Sequence, residues 1–459
     1  MSIKSFSVVL AVLTLSACQT VPKQPVPLPH ILNNEPKACL HIDDKLCTSD
    51  WWRVFNDATL NDFMREVVIH NHELSVATLN LQKAILSHQK TKDNKKIMVS
   101  NTALAGHRAQ KSLSTGEIRS SSNFDVSVNA SWEVDLWGKL ALQQNISDWE
   151  MQASRADRRA VFVSLTATAV REYFNLLGIQ QKRLENQQAL QYQQKQRKFL
   201  QSQLKLGLIA PADTLPIEQT INNLKQIANN LAQQEQASLS TLSLLSQIDK
   251  KDLQKQLGNQ KFPPNLPTDI KHSSMAVINH RPDVQAQMWR LTASLVQQDL
   301  IKKNQYPTLV FTAGAGSQHT HLLDLLKVPV LNWGISLNIP NLNPKDHQYH
   351  LNLAKIDEHI ATLNYQDSVY KALSDVQDKL ENLENLKQNH QLILKANQLA
   401  KKQLAHQQKR HELGFISIRE LEESKEHARQ AQTAVTDSVI NQAQALVSVY
   451  QAVGGMVNS

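Results

Sequence analysis

Two stretches of about 65 residues, 141–205 and 346–412, contain no proline and one glycine, Gly178. Both are rich in Gln, Lys, Leu and Ala, mostly good helix formers. At 1.5 Å per residue, each extends roughly 100 Å as a helix, about three times the width of a small domain. Such a helix cannot be buried in a compact globule and must lie beside equally long partners. Leu373, Val376, Leu380 and Leu383 step by three, four and three, the narrow seam of a coiled coil. Only 12 Gly and 15 Pro punctuate the 459 residues, about half the usual share. That argues against a sandwich, a propeller or an alternating α/β enzyme.

Each long stretch ends in the same kind of turn. Gly207-Leu208-Ile209-Ala210-Pro211 places Gly past a helix end and Pro just beyond; Gly414-Phe415-Ile416-Ser417 repeats it without the Pro. Ser417 with Glu420 three residues on has capping-box spacing. These turns belong to an internal duplication. Asn71-His72 with Val76 matches Asn279-His280 with Val284, and Leu206-Gly207 with Ile209 matches Leu413-Gly414 with Ile416, at offsets of about 207–208. The expected repeats are 51–258 and 265–459, joined at Phe262-Pro263-Pro264-Asn265-Leu266-Pro267. Each reads as a helix (near 59–95 and 274–304), two strands, a very long helix, a turn and a further helix.

The strands alternate. From Phe124 to Leu136 every even position is apolar and every odd one polar, so one face meets an apolar medium and the other water. Leu331, Trp333, Ile335, Leu337 and Ile339 repeat the pattern, as do Leu309, Phe311, Ala313 and Ala315. The partner strand near 98–108 is poorer, with Asn101 and His107. Strands of this length suit an outer-membrane barrel; a soluble half-buried hairpin is the alternative on alternation alone.

Residues 1–17, MSIKSFSVVLAVLTLSA, have one Lys and a short apolar run, too short to span a bilayer but fitting a secretory signal. Leu15-Ser16-Ala17-Cys18 resembles the bacterial lipobox, implying signal removal and acylation of Cys18, followed by a lipid-anchored tether over 18–50. Gln19 implies outer-membrane sorting by the same resemblance. An exported compartment permits a disulfide between Cys39 and Cys47; metal ligation with His41 is the weaker alternative.

The net charge of +8 and pI near 9.2 raise a nucleic-acid reading. The basic residues are spread along helices, with one short run from Lys90 to Lys96, so no nucleic-acid partner is expected. A mean hydropathy of −0.38 argues against a polytopic helical membrane protein. His70-Asn71-His72 and His319-Thr320-His321 lack other ligands at metal spacing. No phosphate loop or nucleophile elbow is present. No enzyme activity, metal or cofactor is expected beyond the acyl anchor on Cys18.

The arrangement resembles the outer membrane factors, the TolC-like channels of efflux and type I secretion, and is similar to their lipid-anchored NodT-type branch. Trp51-Trp52-Arg53-Val54-Phe55 with Leu60, Ser131-Trp132-Glu133-Val134-Asp135-Leu136-Trp137-Gly138-Lys139, His280-Arg281-Pro282-Asp283-Val284 and Val449-Tyr450-Gln451-Ala452-Val453-Gly454-Gly455 carry the resemblance. Departures are Gln287 in place of Glu, Asn341-Leu342-Asn343-Pro344 in place of an aromatic-Asp-Gly-Gly run, and Met98 where the second repeat has Pro307. The resemblance implies an α+β membrane protein. Four strands per protomer would close one shared 12-stranded trimeric barrel in the bacterial outer membrane, above a coiled-coil helical tunnel in the periplasm. It implies a homotrimer, a periplasmic adaptor, an inner-membrane pump expected to be proton-driven, and outer-membrane lipid as partners. The function it implies is an exit channel for drugs or other small molecules. Polypeptide secretion, or a lipid-anchored scaffold without a pore, are the alternatives.

By the same resemblance the periplasmic mouth closes near two acidic positions, Glu420 and Glu423. They lie three apart on one helix face, and threefold symmetry would gather them into a ring that attracts cations and repels itself. A solvated helix start, where acids favour the dipole, is the bland alternative. Arg419 and Lys425 are the candidate pairing partners. Gly207, Leu208, Ile209, Ala210, Asp213, Gly414, Phe415 and Ile416 would form the adaptor-docking tip; simple closure of two helical hairpins is the competing role.

Overall fold

The computed structural model describes residues 50–111, 116, 118–258, 262–267, 275–321, 330–340 and 343–455. The chain divides into a unit at 1–47, outside the described residues, and a unit at 48–459 holding every element below. Cys18, Cys39 and Cys47 therefore lie outside the described residues.

A 3-10 turn, Trp51–Phe55, opens the second unit and is followed by α1 (Ala58–His70) and α2 (His72–Asp93). The single first helix expected near 59–95 is thus two. Asn71 separates them: its side-chain oxygen accepts from the Leu74 N–H at 3.0 Å while its amide donates to the Leu245 carbonyl at 3.1 Å. An Asn that caps one helix and holds another is a helix start. Then come β1 (Met98–Lys111), β2 (Ile118–Val134), α3 (Lys139–Lys205), α4 (Leu215–Ser246) and α5 (Lys250–Leu257). The second half runs through a 3-10 turn (Met275–His280), α6 (Pro282–Lys303), β3 (Thr308–His319), β4 (Val330–Asn338), α7 (Pro344–Glu412) and α8 (Ile418–Ala452). The helix expected from 274 begins at Pro282, whose fixed φ suits the first helical position.

The 67-residue α3 and 69-residue α7 are the long helices. Near the sheet, α2 packs on α3, α3 on α6 and α6 on α7; at the other end α4 and α8 pack on α3, and α8 on α7. Trp149 and Trp289 stack at 5.1 Å between α3 and α6. Gly178 lets α3 approach α8, since a Cβ there would meet Ile440 Cγ1 at 2.7 Å.

Trp51, Tyr173, Phe55, Phe63 and Phe174 are among the largest fully buried side chains and pack together. Trp51 stacks on Tyr450 at 5.4 Å and donates its indole N–H to Thr166 Oγ1 at 3.1 Å. Phe55 meets Phe174 edge-on at 4.8 Å, and the Tyr173 hydroxyl donates to Asp57 at 2.7 Å. Burial, then the bond to Asp57, pushes the Tyr173 phenol far up. Arg281 donates to Asp375 at 2.9 Å and to the Ala452 carbonyl at 2.8 Å. Its burial acts to lower its pKa, but the bonds to Asp283 and Asp375 outweigh that and raise it. Gly454 lies against Arg281 and Pro282, Gly455 against Val163 and Trp51. Three motifs hundreds of residues apart thus meet in one hub.

Candidate channel wall and its tip

The sheet is antiparallel in the order β1-β2-β3-β4. Its register aligns the two alternating patterns across strands. Trp132 faces Phe311, which faces Ile335; Ala130 faces Ala313, which faces Trp333; Val134, Leu309 and Leu337 share a row. One face is therefore largely apolar over β2, β3 and β4, interrupted by Asn101 and His107 on β1 and by Ser122, Ser317 and His319 away from the helices, and it is exposed: Trp333 is 85 % and Leu331 80 % accessible. The opposite face carries Asp125, Ser127, Asn129, Ser131 and Glu133 beside Thr312, Asn332 and Ser336. Met98, Leu104, Val310 and Val330 are apolar exceptions. The strand glycines Gly106, Gly314, Gly316 and Gly334 all fall on this polar face. A Cβ on Gly314 would collide with the side-chain oxygens of Asn129 and Asn332, and one on Gly316 would meet Ser127 Cβ at 2.8 Å. The polar face thus brings Gly314 and Gly316 into close approach with side chains of the neighbouring strands.

Aromatic side chains gather where strands meet helices. Trp132 donates to the Lys95 carbonyl at 3.2 Å, Trp137 donates to the Pro307 carbonyl at 2.8 Å, and Trp137 stacks on Tyr306 at 4.8 Å. This is how an interfacial girdle is built, rings in the apolar zone and N–H groups toward water. The strand expected to reach Leu136 ends at Val134. Asp135 ends it by turning its carboxylate onto the N–H groups of Leu140 and Ala141, both at 2.9 Å, while Gly138 takes φ +70°.

At the far end the two long helices close alike. Gly207 donates to the Leu204 carbonyl at 3.0 Å and Leu208 to that of Gln203 at 3.0 Å; Gly414 donates to His411 and Phe415 to Arg410, both at 2.9 Å. Both are Schellman turns with Gly in the left-handed region, at φ +70° and +78°. Leu208 and Phe415 stand exposed. Ile209 instead turns onto Leu200, Ile217 and Ile221, joined by Ile418, and Ile416 is half-buried. Asp213 accepts from the Ala210 N–H at 2.9 Å, as Glu420 does from that of Ser417 at 2.8 Å. Glu420 also meets the Ser417 hydroxyl at 3.0 Å. The backbone bond first, then the hydroxyl, holds the Glu420 carboxyl below its usual range. Asp213 and Glu420 are equivalent caps of the two repeated turns.

Glu423 is exposed and pairs with Arg419 at 3.1 Å. Lys425 does not join them. It reaches Glu422 at 2.7 Å, a residue the sequence reading passed over. The Glu422 side chain is only 4 % exposed, accepts from the Gln193 amide across α3 at 2.5 Å, and has Lys425 Nζ 4.7 Å above the Tyr192 ring. Glu422 lies one turn from Ile418, on the inward face of α8, whereas Glu420 and Glu423 lie on the outward one. Among the described residues no group of His, Cys, Asp or Glu is placed to hold a metal, and no helix is long and apolar enough to cross a membrane.

The sequence matches the family described as "Outer membrane efflux protein" over residues 69–246 and 275–455. The chain belongs to that family. Its members are transport proteins of the outer membrane rather than enzymes. The chain is similar to the toxin and drug export protein A of Aggregatibacter actinomycetemcomitans, 21% identical over 89% of this chain and 88% of that one. It is similar to the cation efflux system protein CusC of Escherichia coli K12, 23% identical over 96% and 97%. The fold matches the CmeC outer membrane channel of Campylobacter jejuni with a TM-score of 0.80, covering 89% of this chain and 88% of that one at 21% identity. The fold this chain shares with that channel is the α+β plan of long helices and a four-stranded sheet.

Proposed function

We propose that three copies of the chain form the outer-membrane exit duct of a tripartite efflux system, passing drugs or other small molecules delivered by an inner-membrane pump through a periplasmic adaptor. The observation that carries it is the four-stranded sheet, mostly polar and glycine-bearing on one face, largely apolar and exposed on the other, with β1 and β4 as edges unpaired within the protomer. An open edge in lipid leaves N–H and C=O groups without partners. Closure by β1 of one copy against β4 of the next gives 12 strands, an apolar outside and a water-filled lumen. The repeats 51–258 and 265–459 would each supply one hairpin and one long helix to that ring. Acylated Cys18 would tether the chain to the membrane, and a Cys39–Cys47 disulfide would stiffen the tether.

Leu208 and Phe415 are the tip residues best disposed to meet an adaptor, and Ile209 serves hairpin closure. Glu420 and Glu423, both solvent-facing, would ring the mouth as an electrostatic aperture. Replacing both by Ala should raise passive entry of bulky antibiotics in pump-deficient cells; unchanged entry at normal expression removes the aperture. Polypeptide export through the same duct is the second reading, favoured by the toxin and drug exporter among the relatives. Affinity isolation of the tagged chain from cross-linked cells tests the assignment. Recovery of an adaptor with a proton-driven drug pump supports it, an ATP-driven exporter supports the second reading, and neither refutes both.

A further inference from the structure

Between the Trp51–Tyr450 hub and the Gly207 turn, α3 and α4 flank a cleft of about 520 Å³ that also touches Gly258 and Phe262, just past α5. A cleft of that size can receive a drug-sized molecule. Leu177, Leu184 and Leu190 of α3, with Phe262, give it an apolar surface, and Gln180, Asn186 and Gln187 add side-chain amides. Among the described residues its charged lining groups are Arg183 and Glu235, and these pair with each other, Glu235 being buried on α4. The cleft therefore presents no net charge to a ligand.

One lining group is left unsatisfied. Asn186 is 4 % exposed, and its amide nitrogen donates to the Leu224 carbonyl of α4 at 2.9 Å. That bond fixes which way the amide points, because turning it over would set two carbonyl oxygens against each other. The Asn186 Oδ1 is thereby left as a buried acceptor with no hydrogen-bond partner among the described residues. Burying an acceptor without a donor costs stability, and the donor that would satisfy this one has a cleft to arrive through. Gln181, also on the wall, is already engaged, donating to Glu185 at 2.9 Å.

We propose that this cleft binds an uncharged amide carried on a flat apolar body, the chemistry of an aryl carboxamide. The ligand N–H donates to Asn186 Oδ1 at the floor. Its carbonyl accepts from the side-chain amide of half-buried Gln180 or exposed Gln187, and its ring lies against Leu177, Leu184, Leu190 and Phe262. An ester of the same shape brings no donor to Asn186. A carboxylate brings none either, and it would compete with Glu235 for Arg183. The bound molecule would tie α3 to α4 and to the segment after α5, away from both the strands and the two tip turns. The site is separate from the duct and does not depend on it.

The test uses the full chain in lipid nanodiscs and the photoreactive probe para-benzoylbenzamide, with peptide mass spectrometry as the readout. Labelling should saturate with probe concentration and fall on 177–190. The methyl ester and the free acid of the same benzophenone should label that segment about tenfold less, the worth of one buried hydrogen bond. Leu184 is 50 % exposed, so Leu184→Arg should keep the fold while filling the cleft, and should abolish the label. If Leu184→Arg does not fold, Gln187→Leu replaces it, with at least a threefold loss expected. Labelling that never saturates, that the ester matches, or that survives both substitutions overturns the site. A chain that labels as expected yet forms no trimer keeps the site and loses the channel; a trimer without the label does the reverse.

Discussion

Lys425→Met isolates the one buried charge pair near the tip. It keeps the length of the side chain and removes the ammonium from Glu422. The remaining carboxylate would sit 96 % covered, held by Gln193 alone. Breaking a buried pair from one side costs about 3–5 kcal/mol. The retained Gln193 bond places this case at the lower end, about 3 kcal/mol, and the lost cation-π contact with Tyr192 adds no more than about 1 to 2 kcal/mol. At 1.36 kcal/mol per decade, about 3 kcal/mol raises the local opening equilibrium between α3 and α8 by roughly 10²-fold. Hydrogen exchange of the full-length trimer in detergent should show it as lost protection in 418–430 and 190–197, with the strands and the Trp51–Tyr450 hub unaffected. Glu422→Gln combined with Lys425→Met should recover most of the protection, since a neutral amide can be buried beside Gln193. If Lys425→Met alone leaves exchange in these segments within threefold of the parent, the pair does not hold the two helices together and the reasoning fails.

Other contacts give equally direct outcomes. Gly178→Ala should destabilise the periplasmic helices by about 1–3 kcal/mol through overpacking against Ile440, and Ile440→Val should relieve part of it in thermal unfolding. Ser417→Ala removes a helix cap worth about 1 kcal/mol, read as faster exchange at 418–421. Because the folded Glu420 carboxyl lies below its reference value of 4.5, its contribution is complete above about pH 4.5. It is lost as pH falls through the lower folded value, so protection of that turn, corrected for intrinsic rates, should decline only in that acidic window. Trp333→Lys puts a charge on the lipid face at a cost of about 2–4 kcal/mol near the bilayer midplane and should reduce membrane assembly. Asn332→Lys, next to it on the lumen face, should assemble and alter ion selectivity.

The strands were legible because alternation is a local signal, and the register then placed Trp132, Phe311 and Ile335 in one row. Their ends were less so. Asp135 continues the alternation as a polar residue, yet its carboxylate caps the next helix and stops β2 at Val134. Asn71 was read as a mark of the repeat, while its capping of α2 depends on Leu74 and its anchoring on Leu245, 174 residues away. The two turns were legible from Gly207 and Gly414, since only a left-handed residue closes a Schellman turn cheaply. The buried Glu422 was not. Spacing separates it from Glu420 and Glu423 by direction round the helix, but its burial is decided by α3, through Gln193, 229 residues back.

Single-channel recording tests the central claim most directly. The purified chain, shown to migrate as a trimer before heating, is added to a planar bilayer at low concentration. The account predicts discrete, uniform conductance steps, shifted toward anions when Asn332 is replaced by Lys and unshifted when Val128 on the lipid face is replaced by Leu. A stable trimer that inserts without conducting, or conducts with no response to the lumen charge, would contradict it.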